Sequence, residues 1–359
     1  MTVLPTTRPR QSVGYTLIRV AGSNDFCLSH PTQTSVLRTN AIAAVIWSLC
    51  NGQRTVNDIV TLLSQAYPDA HVINSDVQQT LTTLTQYGAI EWLAATGYDI
   101  PILLYHKVAP EPPPGNTVWI STRLFAEQMA TLSAHGYVTV SFQDYLAYRS
   151  GAATPPPRPV ILTFDDGYEN FYTIARPILN RYGFKATVFL VTSQIGAKRH
   201  KDNRWDAPEA QHHVRMMIWP EVTILAEEGH SFGSHTRHHI SLAAIREEQV
   251  RREIKESFTD LRAHLSAAPL VFSYPFGDGA GMTHIQTLVR EAGYSAAVST
   301  IAGIANTLTS NIWALPRLKI TEADSITLDA RRLGDSFLHK IAPQRPMMEP
   351  AARSLCKEK

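Results

Sequence analysis

Short apolar runs alternate with helical segments through most of the chain after residue 100. Candidate strands occupy residues 102–105, 137–141, 161–164, 186–191, 231–234, 271–274 and 296–299, and candidate helices occupy residues 122–135, 168–182, 220–228, 247–265 and 284–292. Parallel strands need long crossover connections, which are usually helical, whereas antiparallel strands can be joined by short turns. This alternation therefore predicts an α/β fold with a parallel sheet closed into a barrel-like form.

The first part of the chain follows a different pattern. Short β-rich runs at residues 15–20, 26–30 and 35–37 are broken by turn residues, which predicts a small meander. Asn40 and Thr55 are suitable N-caps for helices that end at Cys50 and Ala66, and Asn74 or Ser75 opens a third helix that ends near Gly88. A strand at residues 89–93 follows. We therefore expect a small α+β domain before the barrel.

The length of the chain allows two domains and a tail. Its 359 residues are 44% hydrophobic and 18% charged, enough for a barrel-sized domain and a smaller one. We place these domains at residues 1–95 and 96–338, and we expect residues 339–359 to form a flexible tail. The net charge of +2 gives no broad field that would steer the protein toward nucleic acid or an acidic membrane, so we expect neither as a partner.

Cysteine usage and the first residues suggest a cytoplasmic protein. Cys27, Cys50 and Cys356 are odd in number and widely spaced, which fits reduced thiols better than a disulfide framework or a cysteine zinc site. Residues 1–11 contain no apolar run of signal-peptide length, and no other run is long enough to span a membrane.

Two acidic residues and two histidines suggest metal chemistry. The stretch Thr163-Phe164-Asp165-Asp166-Gly167 ends a predicted buried strand, which places both carboxylates at the strand's carboxyl end, where α/β folds carry their active sites. Adjacent carboxylates repel, and a cation relieves this by binding one of them and leaving the other as a base. His235 and His239 are four residues apart, so we predict that they share one face of a helical turn and can bind the same ion. Two histidines and one carboxylate form a facial ligand set with open positions.

The second domain resembles the polysaccharide deacetylase family (NodB homology, carbohydrate esterase family 4) over about residues 100–335. The resemblance rests on the Asp165–Asp166 stretch, on the His-Thr-x-x-His pattern followed by Ile240-Ser241-Leu242, and on Phe272-Ser273-Tyr274-Pro275-Phe276-Gly277. It implies a distorted (β/α) barrel in which Asp165 is the general base. It also implies that Asp166, His235 and His239 bind a divalent ion. Zn²⁺ is the expected ion, and Co²⁺, Ni²⁺ and Mn²⁺ are the alternatives. A backbone N–H near Phe276 would stabilise the oxyanion, and Tyr274, Pro275 and Trp313 are further candidates for the substrate pocket; Trp313 could equally be a core or rim residue.

Two departures from the usual family pattern point to a particular branch. The late Leu-x-His motif is missing, and Leu104-Tyr105-His106 on the first strand resembles instead the circularly permuted branch that includes the poly-N-acetylglucosamine deacetylases. By that resemblance His106 is the general acid; otherwise it is an ordinary histidine at the end of a strand. Ser273 stands where many members have an arginine, and Leu315-Pro316-Arg317-Leu318 matches a late motif of the same branch, so Arg317 either keeps Asp165 ionised or lies on the surface of the final strand.

Residues 8–95 resemble the winged-helix-like PqqD-type peptide chaperones, also called RiPP recognition elements. The matching features are Asn40-Ala41-Ile42-Ala43-Ala44-Val45-Ile46-Trp47, then Gly52-Gln53-Arg54-Thr55-Val56-Asn57-Asp58-Ile59-Val60, and the Gly88-Ala89-Ile90 ending. This resemblance implies that the domain binds a peptide.

Two further segments have simple interpretations. Residues 198–213 interrupt the alternation of strands and helices and could form a substrate-selecting loop, but a solvated loop fits them better. Residues 247–262 mix charges at helical spacing, which is typical of a solvated helix face.

Four functions remain open from the sequence. The first is a hydrolase that removes an acyl group, acetyl above all, from an amino sugar or glycan intermediate. The second performs the same chemistry on a ribosomally made peptide held by the first domain. The third is a DNA-binding regulator with a vestigial barrel, which is disfavoured because Arg54 is the sole lysine or arginine between Ala41 and Leu93. The fourth is an inactive scaffold.

Overall fold

The computed structural model describes residues 8–32, 36–52, 54–68, 73–93, 97–113, 117–196, 214–265, 271–324 and 336–342. The chain divides into two compact units. The first comprises the described parts of Met1–Tyr98, Phe142–Pro156 and Asn306–Thr309, and the second comprises those of Asp99–Ser141, Pro157–Ala305 and Ser310–Lys359. The first unit therefore includes two segments from later in the chain in addition to the predicted residues 1–95.

The strands and helices are numbered here in chain order. The strands are β1 (Arg8–Gln11), β2 (Thr16–Arg19), β3 (Phe26–Ser29), β4 (Leu37–Thr39), β5 (Ile90–Leu93), β6 (Asp99–Ile100), β7 (Ile102–Tyr105), β8 (Lys107–Ala109), β9 (Trp119–Ser121), β10 (Val138–Thr139), β11 (Pro159–Phe164), β12 (Thr187–Leu190), β13 (Ser231–Ser234), β14 (Val271–Ser273), β15 (Ala296–Ala302), β16 (Ala305–Asn306) and β17 (Leu315–Lys319). The α-helices are α1 (Ala41–Leu49), α2 (Val56–Ala66), α3 (Ile73–Gln86), α4 (Thr122–Ala134), α5 (Phe142–Ser150), α6 (Arg176–Arg181), α7 (Trp219–Glu227), α8 (Glu247–His264), α9 (Thr283–Glu291) and α10 (Ser336–Ile341).

The first unit is a small α+β fold, as predicted. Strands β2, β3 and β4 form an antiparallel sheet, and β1 pairs with β5. The predicted caps are present: the Asn40 side chain accepts the Ala43 N–H (2.8 Å), and Thr55 forms a capping box with Asp58. The apolar faces of the three helices meet in a core that includes Trp47 and Ile59.

The second unit is a closed parallel barrel, which confirms the predicted distorted (β/α) barrel. Among the described residues, seven strands form the ring in the order β7, β11, β12, β13, β14, β15 and β17, and β17 pairs again with β7; β10 extends the sheet beside β11. All of these pairings are parallel. Every residue of β7, β11 and β12 is buried, which explains why these strands read as unbroken apolar runs.

The helix predicted at residues 168–182 is irregular. A π-helical turn covers Phe171–Ala175, and α6 follows with Pro177 in its first turn. Proline has no N–H to donate to the preceding turn, so the regular α-helical hydrogen bonding is interrupted there.

Two predicted segments fall largely outside the described residues. The loop at residues 198–213 lies outside them entirely, and of the predicted tail only residues 339–342 are described, the first three of which belong to α10. Among the helices that the structure describes, none combines the length and the apolar character needed to cross a bilayer.

Candidate active site

The carboxyl ends of the barrel strands bring the predicted site residues together. Asp165 and Asp166 follow β11, and Gly167 makes the turn with φ of +89°, where a Cβ would lie 2.8 Å from a Leu190 methyl carbon. The Asp165 N–H donates to the Tyr105 carbonyl on β7 (3.0 Å), so His106 follows directly beside it. Side chains that are far apart in the sequence therefore share one end of the barrel.

Asp166, His235 and His239 form a cluster with the geometry of a metal site. Their ligand atoms all lie within 4.8 Å of one another. Oδ1 of Asp166 is 3.5 Å from His235 Nε2 and 3.2 Å from His239 Nε2. This oxygen is buried and accepts no hydrogen bond from the described residues, as expected for an atom oriented toward a cation. The three residues therefore fit a divalent ion in a facial arrangement.

The charge states of these residues also suit metal binding. Burial lowers the pKa of His235 to about 4, so the ring is neutral at physiological pH. The His235 Nδ1 lies 2.9 Å from the Ser273 carbonyl; that nitrogen therefore carries the proton and leaves the Nε2 lone pair for a ligand. Burial alone would raise the pKa of Asp166, but the neighbouring histidines, His239 above all, lower it below its usual range.

The backbone around the cluster is strained. Among the described residues, the non-glycine residues with positive φ are Asp166 (79°), Thr236 (63°), His239 (58°) and Phe276 (60°), all at this end of the barrel. Such conformations cost about 1–3 kcal/mol each and persist where the surrounding structure imposes them. The predicted helical turn from His235 to His239 is thus wrong: His235 follows β13 directly, and an irregular turn with two left-handed residues carries His239 back to the site.

Arg317 lies against Asp165, the first of the two positions that the sequence left open, and not on the surface of the final strand. Its two terminal nitrogens donate to the two oxygens of Asp165, each at 2.8 Å, and both side chains are buried. Ser273 Oγ accepts from Arg317 (3.0 Å) and donates to Asp165 Oδ2 (3.3 Å). Burial alone would raise the pKa of Asp165, but the charge and hydrogen bonds of Arg317 lower it. Asp165 is therefore ionised and held in place without belonging to the ligand cluster.

Comparison with known proteins agrees with this geometry. The family described as polysaccharide deacetylase matches residues 152–297, and the family described as coenzyme PQQ synthesis protein D matches residues 27–90. The chain contains a polysaccharide deacetylase domain preceded by a PqqD-like domain. The deacetylase domain places it among the hydrolases that act on carbon–nitrogen bonds other than peptide bonds.

Individual relatives resemble the deacetylase domain at moderate identity. The polysaccharide deacetylase-type protein YxkH of Bacillus subtilis is 28% identical over 224 residues, which cover 62% of this chain and 71% of that protein. The poly-beta-1,6-N-acetyl-D-glucosamine N-deacetylase of Escherichia coli is 26% identical over 271 residues, and the match spans only 39% of its length. Among solved structures, a Streptococcus pyogenes deacetylase in complex with acetate aligns with a TM-score of 0.57 at 25% identity, covering 69% of this chain and all of that one.

His106 lies at the mouth of the deacetylase domain. It is half-buried between β7 and β8, and burial lowers its pKa, while the charges of Asp166 and Asp165 oppose this shift. Because the Asp165 N–H donates to the carbonyl of Tyr105, His106 lies beside Asp165 in the fold although it is some sixty positions upstream in the sequence.

The remaining predicted pocket residues of the deacetylase domain differ in their surroundings. The Phe276 side chain is 61% exposed, and its ring meets the His239 ring edge-on with centroids 4.8 Å apart. Tyr274 is fully buried and donates its hydroxyl to the Trp313 carbonyl (2.9 Å), so it supports the segment before β17 and does not face the site with its hydroxyl. Pro275 is buried beside Phe276, and Trp313 is half-buried against the core.

Sequence reasoning missed two polar residues of the deacetylase domain. Ser273 was noted only as a departure from the family pattern, but its hydroxyl connects Asp165 with Arg317. Glu253 lies in the segment interpreted as a solvated helix face, yet it is only 6% exposed. A glutamate at the same helical phase as the buried Val250, Ile254 and Leu261 is the sequence signal that could have identified it.

Proposed function

We propose that the barrel is a metal-dependent deacetylase that removes the N-acetyl group of an amino sugar or glycan intermediate. The observation that carries this proposal is that two adjacent carboxylates have different surroundings. Asp166 lies in the ligand cluster with the two histidines, whereas Asp165 lies outside that cluster and is held by Arg317. The similarity to the poly-beta-1,6-N-acetyl-D-glucosamine N-deacetylase of Escherichia coli supports a sugar substrate. Because this chain spans only part of that relative, the substrate is part of the proposal.

In this mechanism each residue has a separate task. Zn²⁺, or Co²⁺, Ni²⁺ or Mn²⁺ in its place, would be held by Asp166, His235 and His239 and would supply Lewis acidity to the acyl carbonyl and to water. Asp165, kept ionised by Arg317, accepts the proton of the attacking water. His106 in its protonated form, which the charges of Asp165 and Asp166 favour, donates a proton to the nitrogen of the leaving amine as the carbon–nitrogen bond breaks. The backbone N–H near Phe276 donates a hydrogen bond to the oxyanion.

The test is release of acetate from a panel of N-acetylated sugars and N-acetylated peptides, with and without added Zn²⁺. We expect Asp165→Asn to keep its metal and to lose hydrolysis, because the base lies outside the ligand cluster. Asp166→Ala and His235→Ala should lose the metal itself. Metal content and a cooperative unfolding transition are measured for each variant. Equal metal loss in all three would contradict the division of roles, and hydrolysis that survives complete metal removal would contradict the mechanism.

A second candidate is a deacylase directed to a ribosomally made peptide by the first unit. A groove of about 330 Å³ in that unit is lined by β4, by the start of α1 including Ile42, and by α3. Strand β4 is at an edge of the three-stranded sheet described above, and the Ile42 side chain is 47% exposed. A strand edge beside a groove can accept an extended peptide as an added strand, with an exposed apolar side chain such as that of Ile42 available for contact.

This alternative is tested by binding of a peptide encoded beside the gene to the full chain. If the groove is used, Ile42→Glu should abolish binding. Val45→Glu, on the same helix and 41% exposed but not among the residues that line the groove, should retain it. Micromolar binding with this pattern would argue against a sugar-only enzyme, whereas no binding, or equal effects of both variants, would remove the peptide-directed function.

A further inference from the structure

We propose that Glu253 is a positioning residue that fixes the turn carrying His239 and so sets the affinity of the metal site. This inference rests on the proposed function, because it concerns the same metal centre. Glu253 lies on α8, fourteen positions after His239, and does not itself belong to the ligand cluster. It would act through the backbone of the turn.

The Glu253 carboxylate is fully engaged with two consecutive residues of the turn. Its Oε2 accepts the backbone N–H of Arg237 (3.1 Å) and that of His238 (2.9 Å). Its Oε1 lies 2.7 Å from His238 Nδ1. A buried carboxylate is tolerated only where donors surround it, and here those donors all come from the turn.

Neighbouring glutamates of α8 are different. The side chains of Glu247 and Glu256 are 64% and 37% exposed, against 7% for Glu253, and they pair with arginine side chains. Exposed ion pairs of this kind contribute little to the stability of the fold. Glu253 alone among these three receives backbone amides, which ties it to the path of the chain.

The turn requires such support because its backbone is strained on both sides of these amides. Thr236 and His239 have φ of 63° and 58°, a region that residues other than glycine rarely adopt. Hydroxyls hold the two strained residues themselves: Ser234 Oγ accepts the Thr236 N–H (3.1 Å), and Thr236 Oγ1 accepts the His239 N–H (2.9 Å). The two amides between them converge on one Glu253 oxygen, which fixes the direction in which the chain presents the His239 ring.

Loss of these hydrogen bonds would let the turn relax toward ordinary right-handed conformations and would move His239 away from Asp166. Residues that orient metal ligands from outside the ligand set typically change affinity by about 10–100-fold when removed. We therefore expect Glu253→Ala to weaken Zn²⁺ binding by at least about 10-fold. Glu253→Gln should stay much closer to the unaltered protein, because an amide oxygen can still accept both backbone N–H groups.

The experiment measures three properties of the full-length chain. Zn²⁺ affinity is obtained by competition with a chelating dye, ligand geometry from the visible absorption of the Co²⁺ form, and hydrogen exchange of the Arg237 and His238 amides in metal-free protein. The first control is Ile254→Ala, which truncates a buried core residue next to Glu253. None of the hydrogen bonds described for the turn involves the Ile254 side chain, so this variant should be less stable but keep the turn intact. Glu256→Gln removes an exposed partner of the Arg237 side chain and leaves the backbone amides alone.

We expect Glu253→Ala to expose both amides to exchange, to alter the Co²⁺ spectrum and to weaken Zn²⁺ binding, while Ile254→Ala and Glu256→Gln do none of these. Unchanged affinity in Glu253→Ala, or equal weakening in Ile254→Ala, would overturn the inference. If the unaltered protein bound no metal, the proposed function would fail, and the exchange of the two amides in metal-free protein would still decide whether Glu253 fixes the turn.

Discussion

Replacing Arg317 by methionine tests how the deacetylase domain keeps a charged base in its interior. Arg317 is 1% exposed and donates to the two Asp165 oxygens, to the Ser299 carbonyl (2.8 Å), to Ser273 Oγ and to Thr163 Oγ1 (3.3 Å). Methionine fills a similar volume and supplies none of these bonds. Asp165 would remain buried with the Ser273 hydroxyl as its nearest remaining donor.

The expected loss of stability follows from the buried polar groups that methionine leaves unpaired. Breaking a buried ion pair by removing one partner costs about 3–5 kcal/mol, and an unsatisfied buried carbonyl such as that of Ser299 costs about 1–3 kcal/mol more. We therefore expect the free energy of unfolding to fall by about 4–8 kcal/mol, a large part of the roughly 5–15 kcal/mol that a typical domain possesses. Protonation of Asp165 would limit this loss of stability, but a protonated carboxyl could no longer accept a proton as a base. Arg317→Lys keeps the charge but not the paired geometry and should cost only about 2 kcal/mol.

The assay is urea unfolding at neutral pH in the presence of a chelator, so that metal binding does not contribute. The double variant Arg317→Met with Asp165→Asn removes both charges and should be more stable than the sum of the two single variants predicts, by several kcal/mol, because neither leaves an unpaired ion. If Arg317→Met were as stable as the unaltered protein, or if the two single losses simply added, the buried pair would not have the importance assigned to it.

Further predictions concern other parts of the molecule. His106→Ala should slow turnover about 100-fold with normal metal content, as expected for loss of a general acid; unchanged turnover would remove His106 from the mechanism. Burial lowers the pKa of His230 to about 4 from 6.5, so its contribution to stability is present above pH 6.5 and is lost as the pH falls toward 4, by about 3 kcal/mol. His230→Asn keeps an acceptor for the Ala186 N–H and should remove this loss of stability at low pH. If the free energy of unfolding depended on pH in the same way in the variant and the unaltered protein, this prediction would be wrong. Thr55→Ala should cost about 1 kcal/mol through loss of the capping box, measured by urea unfolding, with the exposed Thr61→Ala as a near-neutral control; equal losses would argue against the cap.

Features that depend on local sequence were predictable. The caps at Asn40 and Thr55, the buried strand before Asp165 and the turn at Gly167 each follow from neighbouring residues, and the structure places them as expected. The barrel follows from the repeated alternation of such elements. Arg317 could be proposed because its motif resembled that of a known branch, although spacing alone gave no reason to connect it with Asp165.

Features that depend on contacts between distant segments were not predictable. The spacing of His235 and His239 suggested a helical turn, but hydroxyls and the Glu253 carboxylate hold the segment in a different conformation. Helix α5, at residues 142–150, belongs to the first unit although it lies between strands of the second, and its sequence carries no amphipathic pattern that would have indicated this. In both cases the conformation or placement depends on partners that the local pattern of the segment does not reveal.

The order of strands in the barrel has a consequence for biosynthesis. Strand β17, which carries Arg317, closes the ring between β15 and β7, and of the ring strands that the structure describes it is the last to be translated. Until it leaves the ribosome, the growing polypeptide has all three residues of the ligand cluster but an open barrel and an acidic residue with no counter-ion. Competence for hydrolysis should thus appear only after β17 has been added to the ring, and products that terminate before β17 should be recognised by cellular quality control as incomplete rather than persist as partly active enzyme.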